Sequence, residues 1–560
     1  METLNQAKTK IIKADKVLIV ALIVGFLFCL HGLAWKYQHP DQMAFRPLFL
    51  EGKLPFNPGW FHKPPFHTYF NYFLSDAPIS FIGKIINLQA NYIQDIKFIW
   101  SRILTYFLFL GSILLVFQIT RKSFGIFSAR IVTIIFATSA GFIAHSNFLT
   151  ADIPVMFWML VALYFSHDIL FNQKLSNYLW AGFFTGIATA TKYNGLAIGI
   201  TIVVAHILAC SSSSWKSIPW KQMLFSQKLF LGLFMVIVGF VAGNPFSVLD
   251  YRNFKSDFIY NYTVTPVYEG QTGHSYGYFF SRVIEIIGLP SFLICLIAFL
   301  LALYLTLENR EQPIQTATIL LLFSPVLLYY YKFAEFPRLE TRFVLPIVPL
   351  WLLLSAPLWD KIKFNKIAVS VILIGLISYN TICSFYVGKR FLEDPRTVAK
   401  VWVKQNIPDK SSIESDSYSP SWNKIKGGKL QETFSPFVDG RERLFAKLFP
   451  GNAFIAGTQE DSKKTDELVD WYSLKKLLKR NPDFLTIDSL YYKRFIEPGI
   501  RRELYPSMNK YFQDLLQGKY PYKIAFDRES KLPSIWVYPQ EIDFLHNRIT
   551  ILARKEKSNE

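Results

Sequence analysis

The sequence predicts a mainly α-helical, polytopic membrane protein of about eleven transmembrane helices with a C-terminal extracytoplasmic α/β domain. Two observations lead to this fold class. The 560-residue chain is 51% hydrophobic and only 18% charged, and its apolar residues cluster in long runs such as 17–29, 229–243 and 367–382. After residue 388 the composition changes to that of a soluble domain. A soluble protein would have to bury all these runs in one core, so the membrane class is favoured.

Apolar runs near twenty residues long place the spans in order along the chain. The first follows four N-terminal lysines and lacks a small-residue cleavage site, so we interpret it as a retained span and not as a signal peptide. The predicted spans are 17–35, 98–118, 124–144, 151–170, 178–191, 194–210, 229–245, 284–306, 317–332, 342–358 and 367–387.

Basic residues in the short loops predict the orientation in a cell (inner or plasma) membrane. They all fall on the side of the N-terminus, which the positive-inside rule makes cytoplasmic. An odd number of spans then places loop 36–97, loop 246–283 and the C-terminal region outside. The residues are Arg121, Lys122, Lys174, Lys216, Lys221, Lys228, Arg310, Lys361, Lys363 and Lys366.

The chain divides into a membrane domain, 1–390, whose outer loop is 36–97, and a soluble extracytoplasmic domain, 391–560. Within the outer loop, 78–88 has the pattern of an amphipathic helix, which either lies on the membrane or packs against the protein. The second domain alternates helix and strand, which predicts a small α/β layer. It lacks a glycine-rich phosphate loop, which favours a lid, docking or acceptor-binding module. Its predicted helices are 396–405 and 474–480, and its predicted strands are 483–488 and 535–538.

Charge and cysteine content exclude two other classes. The formal net charge of +19 comes from basic residues spread over loops and the C-terminal region, so we predict contact with membrane lipid and no nucleic-acid partner. The cysteines lie in or at the edge of apolar runs, which is typical of small core residues and not of a disulfide framework or metal cluster. They are Cys29, Cys210, Cys295 and Cys383.

The loop after the first span carries the strongest functional signal. Asp41 lies near the membrane exit, and Lys63 follows about twenty residues later in a His-Lys-Pro-Pro segment. A carboxylate and a lysine at a membrane surface are what a lipid-linked phosphate substrate needs, one to remove a proton and the other to hold the phosphate. A solvated loop with incidental charges has the same composition.

Polar residues at the ends of spans extend this candidate site, because ionisable groups at membrane depth are costly and usually face a cavity. Asp152 opens the fourth span, where it either lines a cavity or caps the helix. Lys192 lies between two apolar segments, where it either holds a phosphate or reaches the headgroups. His145 is more typical of an interfacial hydrogen-bonded residue than of a ligand.

Two further outer segments are weaker candidates. The aromatic loop around His274 and Tyr276 is typical of a carbohydrate site, but also of an ordinary loop. A charged cluster precedes the segment Phe-Val-Leu-Pro-Ile and indicates either an anion pocket or interfacial anchoring. Its members are Lys332, Glu335, Arg338, Glu340 and Arg342.

Taken in order, these motifs resemble the protein O-mannosyltransferase and aminoarabinose-transferase superfamily of C-type glycosyltransferases. The resemblance covers about residues 10–390 and implies transfer of a sugar from a polyprenyl phosphate to a glycan, lipid or protein acceptor on the non-cytoplasmic face. It implies that Asp41 is the catalytic acid of the first loop, acting as general base or positioning the acceptor. It also implies that Lys63 contacts the donor phosphate, that Asp152 helps to form the cavity, and that Arg342 neutralises the lipid phosphate.

Two departures from the family pattern affect what can be carried over. Many relatives have Asp-Glu where this chain has Asp41 and Gln42, and the residue before the lysine, acidic in the aminoarabinose branch, is His62. No cofactor is certain, although His62 with His274 is a candidate ligand pair for a divalent metal. We count His62, Lys192 and Arg338 with Lys63 and Arg342 as candidate donor-binding residues.

Three other functions remain open. A transporter or flippase of lipid-linked saccharides is the main alternative, and it predicts inverted repeats, broken midplane helices and charges deep within spans. A structural scaffold would leave Asp41 and Lys63 replaceable. An oligosaccharide ligase or oligosaccharyltransferase would transfer a preassembled glycan. The sugar, the acceptor and the stereochemistry do not follow from the residues; the resemblance implies inversion.

Overall fold

The computed structural model of this chain describes residues 15–35, 37, 42–211, 223, 225–264, 275–307, 313–336, 339–362, 365–439, 441–451, 459–529 and 547–555. Most of these residues are helical, and a small sheet lies near the C-terminus. The predicted strand at 535–538 lies outside the described residues.

The first part of the chain is built of helices linked by short turns. Turns of 3₁₀-helix lie at Leu30–Gly32, Tyr193–Gly199 and Leu345–Ile347, and a π-helical turn lies at Tyr72–Asp76. The helices are α1 (Lys16–Cys29), α2 (Phe66–Asn71), α3 (Ala77–Ile85), α4 (Ala90–Thr138), α5 (Ala140–Ser146), α6 (Asp152–Phe171), α7 (Leu175–Thr191), α8 (Ile200–Ser211), α9 (Gln227–Gly243), α10 (Phe246–Leu249), α11 (Tyr251–Val264), α12 (Tyr276–Ile287), α13 (Leu289–Leu307), α14 (Pro313–Ala334), α15 (Thr341–Val344), α16 (Val348–Leu353), α17 (Ala356–Ile362) and α18 (Lys366–Leu392).

The described residues contain six helical segments long and apolar enough to cross a membrane, or seven if α12 and α13, bent by 118°, form one span. Two shorter apolar helices, Lys16–Gly32 and Gln227–Gly243, add to these. The polytopic helical fold class is confirmed. About eleven spans were expected, and the difference has a physical reason. The 49 residues of α4 contain two helices that meet at a kink at Gly125, whose φ of 81° is not helical, so two predicted spans form a single segment there, and other segments are short. The orientation stays a prediction.

Helices α7 and α9 approach each other closely through glycines. A Cβ atom on Gly182 would lie 1.9 Å from the Gly232 carbonyl oxygen, and one on Gly239 would lie 2.1 Å from the Phe183 carbonyl oxygen. Only glycine permits this backbone contact, which is common between membrane helices. The contact places the C-terminal end of α7, and with it Lys192, against the rest of the bundle.

The C-terminal part forms a five-stranded sheet in the order β2-β1-β3-β5-β4, in which β1, β2 and β3 are parallel and β4 and β5 are antiparallel to their neighbours. The strands are β1 (Ser412–Ser415), β2 (Gln431–Phe434), β3 (Phe484–Asp488), β4 (Tyr522–Glu529) and β5 (Arg548–Arg554). The helices are α19 (Pro395–Asn406), α20 (Trp422–Ile425), α21 (Arg441–Leu448), α22 (Gln459–Asp470), α23 (Leu474–Arg480), α24 (Ser489–Ile496), α25 (Ile500–Leu504) and α26 (Pro506–Leu516).

Several local predictions are confirmed. Helices α19 and α23 lie where the sequence places them, and their N-terminal caps are Asp394 and Ser473. Strand β3 is the short apolar run that the sequence predicts. The amphipathic helix predicted at 78–88 corresponds to α3, whose Phe81 and Ile85 are more than 60% exposed. Contact of that helix with lipid stays a prediction, as does the domain boundary at residue 390.

Candidate active site

A buried ion pair lies where two membrane helices meet. Asp152 is the first residue of α6, and Lys192 directly follows α7. The Lys192 ammonium donates to Asp152 Oδ1 at 2.6 Å, and the Thr150 hydroxyl donates to Asp152 Oδ2 at 2.6 Å. Asp152 is only 2% exposed. Because side chains engage both of its oxygens, Asp152 acts as the anchor of Lys192 and not simply as a helix cap.

Three further polar side chains surround this carboxylate. His67, His145 and Tyr329 are all almost fully buried, and each interacts electrostatically with Asp152. They come from α2, α5 and α14, so five helices converge on one polar centre. Burial lowers the pKa of His67 to about 4, although Asp152 opposes the shift. The His67 imidazole is therefore neutral at physiological pH.

Arg342 completes one side of this centre. Its guanidinium forms an ion pair with Glu340, and Lys192 Nζ lies 3.4 Å from the Arg342 carbonyl oxygen. The Lys192 ammonium also lies 5.3 Å from the centroid of the Phe343 ring. The Glu340 carboxylate therefore partly neutralises the charge of Arg342. The sequence placed both residues in one charged cluster but did not predict that they pair.

The first long loop is hydrogen-bonded to the segment that leads into Asp152. The Met43 amide donates to the Leu149 carbonyl oxygen at 3.2 Å, and the Thr68 hydroxyl donates to the Met43 carbonyl oxygen at 2.8 Å. Met43 is 1% exposed. The chain just after Asp41 therefore lies between the loop preceding α6 and helix α2.

The other end of the same loop is tied to the turn that carries Lys192. The Tyr193 hydroxyl donates to the Phe61 carbonyl oxygen at 2.6 Å, and the Phe61 amide donates to Asp257 Oδ2 at 2.6 Å. His62 Nε2 lies 3.6 Å from the other oxygen of Asp257. Lys63, which is partly buried, follows directly, so the loop brings the His-Lys-Pro-Pro segment next to the Lys192 turn.

Aromatic rings and one arginine line this loop. The Arg46 guanidinium lies 3.6 Å from the centroid of the Trp60 ring, and the His62 ring lies 4.8 Å from Trp60 and 4.5 Å from Tyr260. Burial lowers the pKa of Arg46 to about 10, which still leaves it charged at neutral pH. Together with Lys63 and Lys192, Arg46 gives the region a cationic character suited to an anionic substrate group.

The predicted site residues divide into three groups. Asp152, Lys192 and Arg342 come together, and the loop carrying His62 and Lys63 is hydrogen-bonded to the same turn. Tyr276 begins α12 and lies 6.0 Å from Tyr330, measured between ring centroids, at the end of α14. The residues that lie outside the described part of the chain are Asp41, His274 and Arg338.

Sequence reasoning missed His67 and Asp257. His67 lies two residues after the Pro-Pro pair, and only its buried position on a short helix distinguishes it from a surface histidine. Asp257 belongs to an otherwise unremarked basic and aromatic helix, α11. Within the described ranges, no group of three or more His, Cys, Asp or Glu side chains is arranged to hold a metal ion. His274, the predicted partner of His62, lies outside the described residues.

Comparison with known proteins finds a family-model match and similar solved structures. Residues 93–241 match the family model described as dolichyl-phosphate-mannose-protein mannosyltransferase. The structure of ArnT from Cupriavidus metallidurans bound to undecaprenyl phosphate has a TM-score of 0.51 and 12% identity, covering 96% of this chain and 98% of that one. The apo oligosaccharyltransferase of Archaeoglobus fulgidus has a TM-score of 0.48 and 14% identity, covering 94% and 75%. Curated protein sequences give no match.

The chain shares its fold with the ArnT structure. The family-model match over 93–241 supports the resemblance to the protein O-mannosyltransferase and aminoarabinose-transferase superfamily of C-type glycosyltransferases that the motifs indicated. The structural likeness, at 12% identity, establishes the fold alone.

Proposed function

We propose that this protein transfers a sugar from a polyprenyl-phosphate-linked donor to a glycan, lipid or protein acceptor on the extracytoplasmic face of the membrane. The observation that carries the proposal is the folding of the first loop over the Asp152–Lys192 pair. Met43 is hydrogen-bonded to the segment before Asp152, and Phe61 is hydrogen-bonded to the residue after Lys192. Support also comes from the matched family description and from ArnT, which was crystallised with undecaprenyl phosphate.

In the proposed reaction, the acceptor hydroxyl attacks the anomeric carbon of the donor sugar. Its proton passes to the Asp41 carboxylate, the bond between the anomeric carbon and the phosphate oxygen breaks, and polyprenyl phosphate leaves. A single displacement of this kind inverts the anomeric configuration. Negative charge grows on the phosphate as that bond breaks, so nearby cations stabilise the transition state. Lys63 is the proposed phosphate contact, and Arg46, Lys192 and Arg342 contribute positive potential.

Asp152 has a different proposed role from Asp41. It is engaged by Lys192 and Thr150, so its carboxylate is poorly placed to accept a proton from a substrate. We assign it the task of holding the Lys192 ammonium in place at the end of α7. Arg342, paired with Glu340, contributes less to phosphate binding than an unpaired arginine would.

The experiment compares wild-type protein with Asp41→Asn in lipid nanodiscs. Release of free polyprenyl phosphate is measured from a panel of polyprenyl-phosphate sugars, with and without cell-envelope extract as the acceptor source. The matched control is Asp409→Asn, because Asp409 is an exposed carboxylate of the sheet part that pairs with Lys426 and Lys429. We expect acceptor-dependent release that Asp41→Asn abolishes and Asp409→Asn preserves. Equal release in all three proteins would remove Asp41 from the mechanism.

The transporter alternative gives a different result in the same preparation. The described residues contain one sharply broken helix pair, α12 and α13, and broken helices are a feature of transporters. A flippase moves an intact donor across a vesicle membrane without releasing the carrier. Donor translocation without any release of polyprenyl phosphate would therefore replace the transferase proposal with the transporter.

A further inference from the structure

The end of the first membrane helix is held by the C-terminal part of the chain. Trp35, only 4% exposed, donates its indole N–H to Asp394 Oδ2 at 3.0 Å. Its ring packs edge-on against Phe391 and Phe148, with centroids 5.3 and 5.9 Å away. Trp35 lies six residues before Asp41, whereas Asp394 caps α19, which leads into the sheet.

Arg396 strengthens this contact from the same helix. Its guanidinium donates to Asp394 Oδ1 at 2.8 Å and to Asp394 Oδ2 at 2.6 Å, a bidentate pair that is almost fully buried. The same guanidinium lies 4.2 Å from the centroid of the Tyr37 ring. One arginine thus orients the carboxylate that binds Trp35 and also covers the ring two residues closer to Asp41.

The strands of the sheet end at this junction. Asp488 is the last residue of β3, and Asp416 directly follows the neighbouring parallel strand β1. The Asp488 amide donates to Asp416 Oδ2 at 2.5 Å, and the Asp488 carboxyl interacts electrostatically with Arg396. Open α/β sheets usually bind their ligands at this edge, where the strand order reverses. Here Arg396 and the end of the first membrane helix lie at that edge.

The segment around Asp41 is also anchored on the membrane side. Arg102 donates to the Leu33 carbonyl oxygen at 2.9 Å and to the Asn147 carbonyl oxygen at 3.1 Å. Beyond Asp41, Met43 is bonded to Leu149. Described residues on both sides of Asp41, in sequence, are therefore held by contacts within the protein.

We propose that Asp394 and Arg396 are positioning residues for the transfer reaction, acting through Trp35 and Tyr37 to hold the segment that carries Asp41. The soluble part of the chain is then a component of the active centre and not only a lid or an acceptor module. This inference rests on the proposed function of Asp41. It concerns residues that contact neither donor nor acceptor, so their effect falls on turnover and not on substrate affinity.

The test uses the full-length protein and three single variants. Trp35→Phe keeps the ring but removes the indole donor, and Arg396→Gln removes the bidentate pair. Arg548→Gln is the matched control, because Arg548 forms a comparable bidentate pair with Asp527 at 2.8 and 2.6 Å on the exposed side of the same sheet. We expect the first two variants to lower kcat about tenfold or more with donor KM within about twofold of wild type, and the control to match wild type.

A second readout does not depend on catalysis. Hydrogen exchange of the backbone amides between residues 35 and 43 is followed by mass spectrometry in all four proteins. Faster exchange there in Trp35→Phe and Arg396→Gln, but not in Arg548→Gln, is the expected result. Unchanged exchange or unchanged kcat in both variants overturns the positioning role. Wild-type protein that releases no carrier refutes the proposed function instead, and the exchange rates then still decide whether Asp394 and Arg396 hold this segment.

Discussion

At the scale of single residues, the Asp152–Lys192 pair is the most consequential contact of the site. Buried ion pairs gain little net stability, because desolvation offsets the attraction, but removing one partner leaves an uncompensated charge. Asp152 is buried and Lys192 is 16% exposed, so the ammonium has little water to replace its partner. Keeping the pair intact is therefore required for the stability of the fold, in addition to its proposed role in the reaction.

We predict that Asp152→Asn lowers the free energy of unfolding by roughly 3–5 kcal/mol, measured by thermal unfolding in detergent. The control on the same helix is Asp168→Asn, which breaks the more exposed pair with Lys122 and is expected to cost less than about 1 kcal/mol. The double variant Asp152→Asn with Lys192→Met removes both charges and recovers part of the loss. Equal losses in Asp152→Asn and Asp168→Asn would contradict the buried-pair account.

At the scale of elements, the contact between α7 and α9 determines where the Lys192 turn lies. The backbones touch at Gly182 and Gly239, where an added Cβ atom would meet a carbonyl oxygen at 1.9 and 2.1 Å. Neither helix can shift locally without moving the other, since the obstructing atoms are backbone. Overpacking of this kind costs about 1–3 kcal/mol or more.

Gly182→Ala is expected to lower the midpoint of thermal unfolding and to weaken donor binding, because α7 must move away from α9 and carries Lys192 with it. Gly375→Ala is the matched control, since no atom lies within 4 Å of a Cβ built at this helical position and alanine favours the helix. Thermal unfolding in the presence and absence of undecaprenyl phosphate measures both effects. A Gly182→Ala protein as stable as the control would show that the two helices are not tightly coupled.

At the scale of the whole molecule, two buried carboxyls at the junction with the sheet make stability depend on pH. Burial raises the pKa of Asp416 to about 6, and burial together with the Asp416 carboxylate raises that of Asp488 to about 7. The facing groups are Arg396, Asp394, Asn547 and Ser419. Both carboxyls keep their protons in the folded protein at pH values where the unfolded chain has lost them, above about pH 4.

The sign of the effect follows from proton binding. For these two carboxyls the folded state binds more protons than the unfolded state between about pH 4 and pH 7, so their contribution to stability falls as pH rises through this range. His67, whose pKa burial lowers to about 4, contributes in the opposite direction, so the test compares each variant with wild type at the same pH. We predict that the midpoint of thermal unfolding of Asp488→Asn rises relative to that of wild type between pH 5 and pH 7.5. Asp527→Asn is the control, because a hydrogen bond from Arg548 lowers the pKa of Asp527 and its difference from wild type is therefore constant over this range. A difference between Asp488→Asn and wild type that stays constant or falls as pH rises would contradict the assignment.

Much of the fold was accessible from the sequence because hydrophobic runs and helical periods are local signals. The residue patterns correctly predict the positions of three elements, which are the segment after Asn147, helix α19 and strand β3. The predicted spans 98–118 and 124–144 are separated in the structure by a kink at Gly125, whose φ of 81° is not helical, so this break was accessible from the sequence. The number of spans was less accessible where helices are short, as in Lys16–Gly32 and Gln227–Gly243, or sharply bent, as between α12 and α13. Length alone does not reveal whether a break separates two spans or bends one.

The site was only partly accessible for a related reason. Asp152 and Lys192 stand out because ionisable groups at membrane depth are costly, and the structure pairs them. The position of His67 beside this pair depends on contacts between residues far apart in the chain. The same holds for the hydrogen bond from Trp35 to Asp394, which joins residues 359 positions apart. No local pattern encodes such a contact, so the link between the soluble part and the Asp41 segment emerges only from the folded chain.

The most direct measurement is an experimental structure of the protein with undecaprenyl phosphate bound in a lipid nanodisc. We predict that the phosphate lies within hydrogen-bonding distance, about 3 Å, of Lys63 Nζ, on the side of the first loop that faces Lys192, with Asp41 directed toward the same bound donor. A phosphate bound away from Lys63, with Asp41 turned from it, would contradict the proposed transferase site.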